Sequence, residues 1–515
     1  KEGKSMNNSK HSRCMMPIMT EVILIFSALF LTGCIAVETR ITAPIDITQT
    51  TCRALYQEMD AAIDNAGIRD HGSSPVQGFP YLRTTRLLAS FSHELGNESP
   101  QWLAWIGHMA DLDTQARALE LRNLPSSVAS WSKDTLLDEL NKCRELLITI
   151  DLTQPEYRAR LRDIVHVPDD YVTWWQALGL YPLTAPIVAA GISAWHSQTR
   201  DTFAMPLTSL PVAGRLLRWV PISTAITAAT DASLPDKPLN TQQISEILRH
   251  SLDPLGIPLP TATELDQLFD TFAPVWEVDV MDENDRIGRV HWENGPTVDI
   301  TYPTGYRKVS HTRFGNQVLL QLNYIVWFRA RPGNDIYAGQ LDGINWRVTL
   351  GPDGEPWLYD AIHNCGCYHE FFPSHQLRLR KNLPFAYFES PLLPQLAPEQ
   401  QPLVLRIAHR THFIQRVYHD SEPDGRSSAG QASQPMAWED YDVLRSLPSD
   451  NEYRSLFGTH GLVAGTERSE RFLLWPMGIR SPGAMRQWGR HPTAFVGRRH
   501  FDDAFLIESL FERTQ

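Results

Sequence analysis

Over the first half of the chain apolar residues recur three and four positions apart, and over the second half they alternate. Ala54, Leu55, Met59, Ala62 and Ile63 share one helical face, with Thr50 or Thr51 as the cap and Gly67 as the stop. The same spacing predicts helices over 81–91, 102–112, 114–121 and 136–150. Pro168, Asp169 and Asp170 predict the opening of a further helix, which carries Trp174 and Trp175 and ends near Gly179. The tryptophan pair either packs inward or forms an exposed platform. An apolar helix is predicted over 185–195, and two more over 244–255 and 263–272.

Near Pro274 the period changes to two. Strands are predicted over 275–280, 287–292, 298–302, 317–330, 344–350, 356–362 and 403–417, with turns at 282–285, 331–335 and 351–354. Short helices are expected at 441–447 and 452–457. The fold class expected is α+β, an N-terminal helical domain followed by a mostly antiparallel β domain. Residues 51–260 form the helical part and 261–439 the β part, on which 440–515 packs back.

The N-terminus changes the cellular setting. A polar, basic stretch leads into an apolar run over 22–31, then Leu31-Thr32-Gly33-Cys34. This order predicts a secretory signal over 1–33. The L-T-G-C ending resembles a bacterial lipobox, which implies cleavage before Cys34 and lipidation of its thiol, with 34–50 as a tether. The apolar run falls short of the roughly twenty residues that span a bilayer. The body is therefore expected in the bacterial cell envelope, facing the periplasm and held to the membrane by the anchor. A net charge of -12 argues against a nucleic-acid partner. An envelope protein, peptide, glycan or lipid remains as the possible ligand.

Export also bears on the cysteines, since disulfides persist outside the cytosol. Beyond Cys14 and Cys34 the chain has Cys52, Cys143, Cys365 and Cys367. The natural partition is Cys52 with Cys143, each on a predicted helix, and Cys365 with Cys367, although four cysteines allow three pairings.

The stretch with the densest chemistry is 360–373, D-A-I-H-N-C-G-C-Y-H-E-F-F-P, in which His363, Cys365, Cys367 and His369 stand two apart. On a straight strand all four face one side, but the histidines then lie roughly 20 Å apart, so one metal needs a bend at Gly366. Three readings compete: a zinc site using His363, Cys365, Cys367 and His369, a Cys365–Cys367 redox pair, and a buried structural strand. For catalysis the candidate groups are Asp342, His369, His409 and His412, acting as bases or completing the metal site. No G-x-S-x-G elbow, phosphate loop, dinucleotide fingerprint or H-E-x-x-H is present. Six arginines and no acid occupy 471–500, and pairing with the acidic stretch 275–299 is expected, with anion binding as the alternative.

Tyr324-Ile325-Val326-Trp327-Phe328, Gly339-Gln340-Leu341-Asp342-Gly343 and the run from Trp346 to Leu350 resemble necrosis-inducing and related secreted β-proteins. The resemblance is confined to these residues, and the loop histidines of that family are absent. It implies a strand–loop–strand unit with Asp342 at the loop. The functions compatible with all of this are a metal-dependent hydrolase with a His/Cys site, a non-catalytic envelope lipoprotein with a structural or binding role, and a thiol redox protein using Cys365 and Cys367.

Overall fold

The computed structural model describes residues 47–96, 99–126, 132–222, 238–383, 389–419, 432–450 and 452–514. The signal segment, Cys34 and most of the tether lie outside these residues, as does most of 420–434. Residues 41–515 belong to one compact unit.

The helices in chain order are α1 (Gln49–Ala66), α2 (Arg86–Ala89), α3 (Pro100–Asn123), α4 (Lys133–Leu152), α5 (Pro155–Ile164), α6 (Thr173–Leu178), α7 (Tyr181–Ala204), α8 (Thr241–His250), α9 (Ala262–Phe272), α10 (Arg471–Leu474) and α11 (Leu506–Leu510). Thr48 and Thr51 cap α1 reciprocally, and Gly67 closes it at φ 66°. Cys52 on α1 and Cys143 on α4 form the expected disulfide, with both side chains fully buried.

Several helical expectations fail, the first two between residues 81 and 123 for identifiable reasons. A break near Asp113 is absent because Asp113, Arg117 and Glu120 share a buried face of α3, where Arg83 lies 3.3 Å from Asp113 and 2.8 Å from Glu120. These polar residues interrupt the apolar period without interrupting the helix. The predicted helix over 81–91 is instead a hairpin, β1 (Ser74–Val76) with β2 (Phe79–Thr84), followed by the single turn of α2. In β2 the Tyr81 hydroxyl donates to Asp151 on α4 at 2.8 Å, and Arg83 reaches α3.

The main sheet contains β3 (Arg215–Pro221), β4 (Val275–Val280), then, after the hairpin β5 (Arg289–Trp292) and β6 (Pro296–Asp299), β7 (Thr304–Phe314), β8 (Gln317–Arg331), β9 (Gly339–Leu350), β10 (Pro356–His363) and β11 (Glu370–Pro373). After β12 (Leu377–Leu379), it is completed by β13 (Leu403–Ile407), β14 (Ile414–His419) and β15 (Ala432–Asp440). The order among the described strands is β11-β10-β9-β8-β7-β15-β3-β4-β13-β14. The sheet is mixed: six of the nine pairings among these described strands are antiparallel, as expected of the β part, but β15 runs parallel to both β7 and β3, and β13 runs parallel to β4. The first half of β15, Ala432–Met436, pairs with β3, and the second, Ala437–Asp440, pairs with β7. One strand thus joins two smaller sheets end to end.

β3 comes from the stretch expected to be helical. Its Leu217 and Trp219 enter the core while the buried Arg218 meets Glu277 at 2.8 Å. The expected helices over 441–447 and 452–457 are a 3-10 turn (Tyr441–Arg445) and a short hairpin, β16 (Leu447–Ser449) with β17 (Glu452–Arg454). The final strand, β18 (Phe511–Arg513), pairs with β12. Among the described residues no helix is long and apolar enough to cross a membrane.

Candidate functional site

β10 ends at His363, and the chain then reverses within six residues to return as β11, pairing Ala361 with Glu370. The reversal is closed by His363 N donating to Cys367 O at 3.0 Å and by Gly366 N donating to His363 O at 2.7 Å. Gly366 sits at φ 92°, where a side chain is strained, and a Cβ there would lie 2.7 Å from Pro492 O. A turn has no period of two, so the four polar side chains do not share a face.

They go to three places. His363 Nδ1 lies 3.3 Å from Asp342 Oδ1, and the other Asp342 oxygen is 2.8 Å from His412 Nδ1. On its far side His412 Nε2 is 3.4 Å from Asp285, and the ring stacks flat on Phe328 with centroids 3.9 Å apart. Burial pushes the Asp342 carboxyl up, but the two imidazoles outweigh it and hold the group well below the usual carboxylate range. Burial pulls His412 down, yet Asp285 and Asp342 raise it overall. His363 is lowered, with burial the chief cause. The cluster is sealed: the cavity beside His363 is only about 10 Å³, room for one water at most.

His369 belongs to a second network. Its Nε2 is 2.9 Å from Asp360, which accepts two hydrogen bonds from Arg347 at 2.9 and 2.6 Å. Arg347 lies 3.5 Å over the Phe501 ring, and burial pulls His369 down to about 4. His409 belongs to neither network; its Nδ1 meets Asp279 at 3.1 Å. The predicted strand over 403–417 is broken by the turn between β13 and β14, which holds both His409 and His412 and gives them different partners. Asp342 lies inside β9 rather than in the loop before it.

The sequence-derived zinc set of His363, Cys365, Cys367 and His369 is therefore split between separate surroundings. Among the described residues no three His, Cys, Asp or Glu side chains are arranged to hold a metal ion. Of the catalytic candidates, the structure joins only Asp342 and His412, in a closed ion-pair cluster.

Cys365 and Cys367 are not joined as the expected partition had them: both are free thiols, in the wall of a cavity of about 190 Å³. Val188, Ile192 and Trp195 of α7, together with Leu474, Ile479 and Phe495, make it apolar, while Glu389, Glu470, Tyr337 and Thr493 supply polar groups. Cys367 N lies 3.4 Å from Cys365 Sγ. The hydrogen-bonded Cys365 thiol and burial push the Cys367 thiol well above its usual range, so it is protonated at neutral pH. Burial pushes Glu470 up to about 7, against the pull of Arg331, Arg468 and Arg486. Gly483 permits this carboxyl its position, since a Cβ there would fall 2.0 Å from Glu470 Oε1.

Glu470 gives a direct prediction. Its folded value of about 7 exceeds the ordinary 4.5, so between these values the folded chain holds a proton that the unfolded chain releases. Stability should fall as pH rises across that window and level off above it. Glu470→Gln is expected to remove this dependence, giving a chain about 3 kcal/mol more stable than wild type at about pH 8 and equal to it at about pH 4. Urea unfolding at the two pH values checks this.

A larger cleft, of about 460 Å³, lies where α3, β7 and the C-terminal coil meet, and sequence reasoning missed it. Lys308, His311, Asp442, Arg445 and Trp488 are among its walls. Its charges have partners within the protein: Lys308 meets Asp442 at 3.4 Å, Arg445 meets Asp70 at 2.8 Å, and His108 meets Asp253 at 2.6 Å. The available signal was β7 itself, T-G-Y-R-K-V-S-H-T-R-F, where polar residues occupy both faces. The smaller cavity is the stronger candidate because it joins apolar walls to a buried carboxyl and two thiols. The arginines near it do not pair with 275–299 as expected. Arg490 meets Asp170 at 2.7 Å, Arg499 meets Glu389 at 3.3 Å and Arg498 meets Asp169.

No protein family, curated protein or solved structure matches the chain.

Proposed function

We propose that this is an exported, lipid-anchored protein of the bacterial envelope that binds a small apolar or amphipathic molecule in the cavity beside Cys365 and Cys367. The observation that carries the reading is the cavity's composition: apolar walls from α7 and the C-terminal coil around two carboxyls, Glu389, which is paired with Arg499, and Glu470, which is poised near neutrality. Its volume of about 190 Å³ is below the roughly 300–1,000 Å³ of drug-sized sites, so it suits a short chain or a single ring. Glu470 then gives the ligand's polar end a partner whose charge depends on pH.

A second reading rests on the contact between the two thiols. Two adjacent thiols form a disulfide by losing two protons and two electrons to a partner disulfide, which becomes two thiols. Glu470, in the same cavity, is suited to take up a proton from the protonated Cys367.

One sample separates these readings. The body without its anchor is purified, and bound small molecules, free thiols and zinc are measured together. Under the binding reading an organic molecule co-purifies and is lost from a variant with Ile192→Glu, while both thiols remain reduced. Under the redox reading no molecule is retained, and Cys365 and Cys367 shift between dithiol and disulfide as a thiol buffer is varied. Stoichiometric zinc held by these residues would overturn both in favour of the metal site.

A further inference from the structure

α7 is built the reverse of an ordinary surface helix. Its outward stripe is apolar for more than three turns, with Pro182, Leu183, Pro186, Ile187, Ala190 and Ala194 all exposed. Beside it α6 exposes Trp174 and Leu178, and α10 exposes Phe472 and Leu473. Trp174, Leu178, Leu183, Ile187, Phe472 and Leu473 are each 61 to 73% accessible. Isolated exposed leucines are ordinary, but a cluster of large apolar side chains on three adjoining elements is not. The elements are fastened together beneath this surface. Val172 N donates to Gly478 O at 2.7 Å, Gln176 Nε2 donates to Met477 O at 3.0 Å, and Ala185, Met477 and Val496 pack as one apolar cluster.

The charge pattern of these segments identifies the occupant. The chain carries 59 acidic residues, yet residues 171–200 and 471–500, which build most of this face, contain none. The cations there are arginines: Arg200 is exposed, Arg471 lies 4.9 Å from the Phe472 ring, Arg480 lies 5.7 Å from the Trp175 ring, and the Arg498 side chain is 42% exposed. Exposed acids, Asp169, Asp201 and Glu467, lie just beyond the two segments, and Asp169 is paired with Arg498. An apolar surface with tryptophan and an arginine rim, on a protein of net charge -12, complements an anionic lipid surface. The described body begins at Ile47, thirteen residues after Cys34. A chain of that length reaches at most about 45 Å, which keeps the body beside the bilayer.

We propose that the face formed by α6, the outer stripe of α7 and α10 docks into the headgroup region of an anionic bilayer. This second contact would fix the orientation of a body that the lipid alone leaves free to turn. The proposal rests on the envelope reading for the presence of the membrane, and it is independent of the cavity's ligand.

The test uses the body from residue 35 onward, which contains the whole compact unit 41–515, so its failure is distinct from a failure of lipidation. The protein is floated with vesicles of phosphatidylethanolamine and phosphatidylglycerol, and with vesicles of phosphatidylcholine alone. The expected result is binding to the anionic vesicles that weakens at least tenfold in the variant Trp174→Ser, Leu178→Ser, Ile187→Ser, Phe472→Ser. The control variant Leu396→Ser, exposed elsewhere, should bind as wild type. Because the four altered side chains are exposed, circular dichroism and melting of that variant should match the parent. Absence of vesicle binding by the folded parent overturns the proposal. So does a dimer in solution that the fourfold variant turns into a monomer without any loss of vesicle binding, which would assign the face to a second copy of the chain.

Discussion

Replacing Cys52 and Cys143 together by alanine is expected to lower the unfolding free energy by about 4 kcal/mol. The two are 91 residues apart, and opening so long a loop restores much conformational freedom to the unfolded chain. The native geometry has other ties between α1 and α4, including Tyr56 Oη donating to Leu140 O at 3.1 Å. The loss should therefore appear in stability without a change of fold. Urea unfolding of the variant, and of wild type with and without a reductant, provides the check: reduced wild type should approach the variant. A loss under about 1 kcal/mol would mean that the unfolded chain is already restrained there.

Asp342→Asn is expected to cost about 3–5 kcal/mol, the scale for breaking a buried charge pair by removing one partner. The carboxylate stands between His363 and His412, and the substitution leaves a protonated His412 with Asp285 at 3.4 Å as its remaining acid. The pH dependence follows from the directions of the shifts. His412 is raised, so its share of stability is complete below its ordinary value of 6.5 and is lost as pH rises through its folded value. Asp342 is depressed, so its share is complete above its ordinary value of 3.8 and is lost as pH falls through its folded value. His363, which is lowered, acts in the opposite sense to His412 below 6.5 and reduces the total. The gap between wild type and Asp342→Asn should be widest between about pH 4 and 6.5 and narrow at higher pH. Denaturation at a series of pH values measures it, and a gap that widened above pH 7 would contradict the assignment of the proton to His412.

Several parts of this arrangement were legible in the sequence. The pairing of Cys52 with Cys143 is one of three that four cysteines allow, favoured in the sequence because each sits on a predicted helix, and the structure forms it. Asp342, His363 and His412 were all singled out, and the structure brings them together. The metal reading requires a bend at Gly366, and the chain does turn there, but the turn sends His363, His369 and the two cysteines to separate surroundings instead of gathering them. Asp285 had been assigned only to a turn, and Glu470 lies more than a hundred positions from the thiols whose cavity it shares. Local pattern carries no information about such approaches. The same limit hid the continuity of α3, where paired charges mimic a break, and the parallel partners of β15.

β15 also sets the order in which this protein can be assembled. It fills the gap between β3 and β7, yet it is the last strand of the main sheet to be synthesised, roughly two hundred residues after β3. A chain emerging from its N-terminus therefore holds two partial sheets, each with an open edge of unpaired N–H and C=O groups, until residue 440 is available. Closure is then a long-range insertion, slow by its topology, and the exposed edges invite pairing with other chains in the interval. For such a molecule the hazardous period is the time between synthesis of β7 and arrival of β15, and factors that shield strand edges during that time would govern how much protein matures.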